Sequence, residues 1–181
     1  MTQKPVPPLN SRLCRRLATL SVTVGAGILL VNAILWLVPD WTSFVARQMA
    51  NLQCEPITLT SGVPWIGLGC STFYLAVLTR ALIVAHSIFA RLADGLVFEP
   101  QTGVMLRRFG LTLVIYAALT PLFGTLMTWL VTMHNGPGER ILRFGISEYE
   151  IVLAVVGTLV LTTGSVMAEA TRMAEENRQI V

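Results

Sequence analysis

Arg80 and His86 stand six residues apart inside a long apolar run, about 64–89. A guanidinium placed in hydrocarbon costs roughly 2.5–3.5 kcal/mol on insertion scales, so its presence asks for a reason. Two are open. Arg80 can face the interior of a helix bundle and hold an anionic group. It can instead snorkel, because it lies in the cytoplasmic half of its run and its stem is long enough to reach headgroups. No Asp or Glu sits at matching depth in another apolar run: Glu150 falls near the outer edge and Glu169 near the inner one. His86 lies closer still to the inner edge, where a single histidine is more often a satisfied polar group than a ligand.

Other catalytic patterns are missing. The apolar runs contain no paired carboxylates, no HExxH, no GxSxG and no P-loop. The glycines of GVPWIGLG, residues 62–69, follow no strand and lack phosphate-loop spacing. Cys14, Cys54 and Cys70 form no CxxC pair, and only His86 and His134 are available beside them, which argues against zinc. A Cys54–Cys70 disulfide is open if both face an oxidising side. The expectation is therefore a protein that is not an enzyme and carries no cofactor or metal.

Two polar segments carry more information. After Arg91, the row GLVFEPQTGVMLRRFG contains Phe98-Glu99-Pro100. Proline disfavours helix at Glu99 and suits the first position of a new helix, which would run through Val104, Met105 and Leu106 into the next apolar run. Arg107 and Arg108 would mark its entry into lipid. The connector can be a structured hairpin with Phe98 as an apolar plug, or a plain turn anchored at the interface. The tail, residues 166–181, continues the last run with Glu169 and Arg172, and Glu175 and Arg178, three apart and able to pair on its own surface. Met167, Ala170, Met173 and Ala174 give it one apolar edge, for docking or for a solvated overhang.

The elements that must position these segments are four long apolar runs: about 17–38, 64–89, 109–133 and 149–167. Hydrophobic residues make up 54% of the 181 residues and charged ones 13%, against roughly 25% charged in soluble domains. A span needs about 20 apolar residues, and backbone amides in lipid must be satisfied internally, so each run reads as a helix. The fold expected is an all-α integral membrane four-helix bundle forming one domain over residues 1–181, with a connector at 90–108 and a tail at 168–181. Arg12, Arg15 and Arg16 before the first run could suggest a signal peptide, but the run is too long and no small-residue cleavage site follows.

Basic residues set the orientation. Lys4, Arg12, Arg15, Arg16, Arg91, Arg107, Arg108, Arg172 and Arg178 fall on one side, and Arg47, Arg140 and Arg143 on the other. Both termini are expected to be cytoplasmic, with Trp36, Trp41, Trp65 and Tyr149 near the outer interface. The basic residues do not form the dense aromatic-laced patch of a nucleic-acid binder. Ser21 and Gly25, the Thr120–Gly124–Thr128 stripe, and Gly157 with Gly164 offer close helix approach, either within the bundle or between copies. Pro121 predicts a kink near the middle of the third span.

The connector and tail together resemble a bacterial family of small four-span membrane proteins catalogued as a domain of unknown function. Its pattern is Gly-x-x-Phe, a helix-capping Ser or Thr, Leu-Arg-x-aliphatic-Gly, and a closing Leu-x-Glu-Glu/Asp-Asn. Gly95, Phe98, Leu106, Arg107 and Gly110 match the first part, and Glu175, Glu176 and Asn177 the second. Glu99 stands in place of the cap, Phe109 in place of an aliphatic, and Met173 in place of Leu. The resemblance covers roughly residues 75–181. It implies an integral protein of the bacterial inner membrane and supplies no reaction or catalytic residue. Members of the family are often encoded beside small helix-turn-helix regulators.

The expected role is a non-enzymatic scaffold or regulator that presents Phe98, Leu106, Arg107, Glu175, Glu176 and Asn177 to a cytoplasmic protein partner. The rival reading handles a small molecule, lipid or ion through Arg80 and the Pro121 kink. A third makes the chain a subunit of a larger complex, or a homo-oligomer, through its glycine faces. Partner, ligand and oligomeric state are not readable from the residues.

Overall fold

The computed structural model describes residues 11–52, 55–96 and 99–179, the side chains of 100, 175 and 177–179 excepted. Among them are five helices and no strand: α1 (Ser11–Leu37), α2 (Pro39–Met49), α3 (Val63–Ala93), α4 (Pro100–Thr132) and α5 (Glu148–Gln179). The four long helices have 27, 31, 33 and 32 residues. At 1.5 Å per residue each exceeds the roughly 30 Å of a hydrocarbon core. This explains why they outrun the apolar stretches: hydropathy marks lipid, whereas a helix continues into water wherever its hydrogen bonds are satisfied. Only 11–22% of each helix's most apolar stretch is buried in the protein. So much outward apolar surface belongs in lipid, and the chain is a multi-pass membrane protein.

The helix α2 is an addition to the four expected. Its signals are local: Pro39 at the first position, Asp40 in the first turn, Arg47 in the last, and Thr42, Val45 and Ala46 buried on one side. It stops in a Schellman arrangement, with Asn51 left-handed at φ 53° and the Leu52 and Asn51 amides donating to the Arg47 and Gln48 carbonyls.

The chain forms two compact units, and all four long helices contribute to both. The first comprises residues 1–26, 78–114 and 153–181. Here α4 and α5 run antiparallel at backbone contact. A Cβ on Gly103 would lie 3.1 Å from that of Ala168, one on Gly110 would lie 2.6 Å from the Gly157 carbonyl, and one on Gly164 would lie 2.9 Å from the Gly103 carbonyl. Two glycines seven apart on each helix thus build one seam, and Gly157 and Gly164 spend their small faces inside the chain. In the same unit α1 crosses α3 at Gly25, whose Cβ would sit 3.3 Å from the Thr79 methyl.

The second unit comprises residues 27–77 and 115–152. Its core gathers Trp36, Val45, Leu52, Val63, Met127 and Val131. Trp36 is 2% exposed, with its indole pressed onto Gly67, where a Cβ would collide with the ring. It is a core residue and not a member of the interfacial belt, whereas Trp41, Trp65 and Tyr149 are exposed. The two long loops are tied by buried Asn135. Its amide donates to the Pro56 carbonyl at 2.7 Å and the Glu139 carbonyl at 3.3 Å, and its oxygen accepts from the Thr58 hydroxyl at 2.7 Å. α4 continues unbroken through Pro121. The Thr125 hydroxyl donates to the Pro121 carbonyl at 2.8 Å, and the Thr120 hydroxyl to the Tyr116 carbonyl at 2.9 Å.

Candidate functional site

The motif-bearing segments of the first unit meet at the glycine seam. α3 ends at Gly95, left-handed at φ 80°, where the Leu96 and Gly95 amides donate to the Arg91 and Leu92 carbonyls. This is a second Schellman ending, and it turns the chain back toward α4. Arg91 braces the turn. Its Nη1 pairs with Glu99 Oε2 at 2.8 Å, and its Nη2 donates to the Gln101 side chain. The Thr102 hydroxyl donates to the Leu96 carbonyl at 2.9 Å. Glu99 is thus held by Arg91, and Thr102 reaches across the connector.

The seam then sets the connector's outgoing helix against the tail's incoming one. Gly103 opposes Ala168, and the Leu106–Arg107 backbone lies against Gly164. Leu106 is half-buried and Arg107 exposed. Along the tail, Arg172 pairs with Glu169 and lies 3.9 Å from exposed Glu176. Glu175 and Asn177 belong to α5 but their side chains lie outside the described set, and Phe98 lies outside the described residues, as does Cys54 with its proposed pairing to Cys70.

The intramembrane pair has separate fates. Arg80 is exposed on α3, with no hydrogen bond or ion pair among the described residues, and it lines none of the cavities described here. His86 is half-buried, and its Nδ1–H donates to the Ala18 carbonyl of α1 at 2.9 Å. A carbonyl only accepts, so this contact puts the proton on Nδ1 and makes His86 a strut between α1 and α3. Among the described residues, no three His, Cys, Asp or Glu side chains are placed to share a metal ion.

The second unit contains a polar chamber that no motif announced. It measures about 500 Å³, and its walls come from the end of α2, Tyr74 of α3, the Thr120–Thr128 face of α4 and residues 143–150. Arg143 and Glu150 bring one charge of each sign. Arg143 Nη2 is 3.3 Å from Glu55 Oε1. Glu150 makes the carboxylate half of a capping box at the start of α5: its Oε2 accepts from the Ser147 amide at 2.6 Å and from the Ser147 hydroxyl. The Ser-x-x-Glu spacing at 147–150 was the available signal, and it predicts a helix start, not a chamber. Tyr74 donates to or accepts from the Thr120 hydroxyl at 3.0 Å and stacks between Tyr116 at 4.7 Å and Phe123 at 4.3 Å. Tyr74 and Phe123 also wall a separate apolar groove of about 310 Å³ with Cys70, Phe73, Leu119 and Leu126.

No curated protein and no solved structure matches the chain. A family model described as "Protein of unknown function (DUF2975)" matches residues 21–181, nearly the whole chain and both motif segments. The chain, with its four membrane-length helices, therefore belongs to the DUF2975 family.

Proposed function

We propose that this protein is a non-enzymatic regulator or scaffold of the bacterial inner membrane, with both termini and the α3–α4 connector in the cytoplasm, where connector and tail capture a protein partner together. The observation that carries the reading is the glycine seam. It brings Gly103 against Ala168 and the Leu106–Arg107 backbone against Gly164, so two segments remote in sequence are held side by side. Arg107, Arg172 and Glu176 are exposed on these two helices, and the turn that leads into α4 is braced by the Arg91–Glu99 pair. The excess of Lys and Arg on this side supports the orientation.

In-cell photo-crosslinking from the tail tests it. One partner should be captured by the native chain, lost with Phe98→Ala or Glu176→Ala, and retained with Glu148→Ala at the other end of α5. Capture that is indifferent to these substitutions, or no capture, sinks the proposal. The Arg80-centred reading draws no support from the cavities described above, and Arg80 is exposed. The reading that gives the glycine faces to other chains loses Gly157 and Gly164, which are already occupied by α4.

A further inference from the structure

The polar chamber and the apolar groove share two walls, Tyr74 and Phe123. A chamber of about 500 Å³ is within the usual range for small-molecule sites. It carries one guanidinium, Arg143, and one carboxylate, Glu150, and Tyr74, Thr120, Thr125 and Thr128 stand along its walls with their hydroxyls bonded within the protein. A purely anionic guest would meet Glu150, and a purely cationic one would meet Arg143. A zwitterion satisfies both. Both contacts that Glu150 makes to Ser147 fall on Oε2, which leaves Oε1 as an acceptor. Arg143 spends one of its five donors on Glu55. The neighbouring groove is lined by Phe73, Leu119 and Leu126 and is suited to an acyl chain.

We infer that this chamber binds the headgroup of a zwitterionic lipid bearing a primary ammonium and a phosphate, with its phosphate on Arg143, its ammonium on Glu150 and an acyl chain in the groove beside Tyr74 and Phe123. An ammonium that still carries hydrogens is required, because the acceptor at Glu150 rewards a donor and a quaternary head has none. The inference is independent of partner capture, since it concerns the purified chain alone.

The test is native mass spectrometry of the full chain in detergent, titrated with phosphatidylethanolamine, phosphatidylcholine and phosphatidylglycerol. Phosphatidylethanolamine should bind roughly tenfold or more tightly than either of the others, the size of one hydrogen bond between charged groups. Two variants locate the site. Gly124 lines the chamber with open space where a Cβ would stand, so Gly124→Leu projects its side chain into that space and should abolish the preference. Glu150→Gln still completes the capping box with Ser147 but loses the charge, and should bring phosphatidylethanolamine down to the level of phosphatidylcholine. Equal binding of the two lipids, or a preference that survives both variants, overturns the inference. Displacement by water-soluble phosphoethanolamine at the same concentration as the lipid overturns the assignment to a lipid, because the groove would then contribute nothing.

Discussion

At the scale of single residues, the glycines divide by what stands opposite them. Gly110 looks onto the backbone of α5, where a Cβ would meet the Gly157 carbonyl at 2.6 Å, and backbone cannot rotate away. Gly110→Ala should therefore destabilise the protein by about 1–3 kcal/mol, the usual cost of overpacking. Gly124 meets nothing, so Gly124→Ala should be neutral or stabilise by up to about 1 kcal/mol through helix propensity. Thermal unfolding in detergent should separate the two variants, and a Gly110→Ala protein as stable as the parent would contradict the seam. Asn135 makes the matching case among polar residues. It is 5% exposed with three side-chain partners, so Asn135→Ala leaves buried groups unpaired. A loss of about 1–3 kcal/mol is expected, with faster hydrogen exchange in the 56–58 and 139–141 segments as the local signature.

Elements begin and end here through short-range chemistry. α2 and α3 both close with Schellman hydrogen bonds, one at Asn51 and one at Gly95, and α5 opens with a Ser147–Glu150 capping box. Ser147→Ala should cost about 0.5–2 kcal/mol and should fray the first turn of α5, read as increased exchange at residues 148–151 with the rest of the helix unchanged. Gly95→Ala must force a Cβ into a left-handed backbone, so it should loosen the connector that Arg91 and Thr102 brace. These endings were partly legible. Proline at 39 and 100 and glycine at 95 are visible punctuation, whereas the Arg91–Glu99 pair requires knowing that the chain doubles back.

Over the whole molecule, lipid is the main solvent, and the orientation we propose rests on the distribution of basic residues along the sequence. A C-terminal fluorescent fusion should be bright and a C-terminal alkaline phosphatase fusion inactive; the opposite pair of results would move connector and tail to the outer side and end the proposed cytoplasmic role. The four spans were readable because roughly 20 apolar residues in a row leave few other physical options. Arg80 was singled out for its cost in hydrocarbon, yet that cost does not say which way the side chain faces. α3 leaves it exposed.

By itself, then, the sequence determined membrane residence, the number of long helices and the sites where connectors start, because hydropathy, proline and glycine act over one or two helical turns. Tertiary structure alone decided which glycines face each other, that Trp36 is core, that His86 is a strut, and that Arg143, Glu150, Tyr74 and the α4 threonines converge on one chamber. The reason is physical. Those facts depend on helix rotation and register, and a hydrophobic pattern that is apolar on nearly every side, as membrane helices are, carries little record of either.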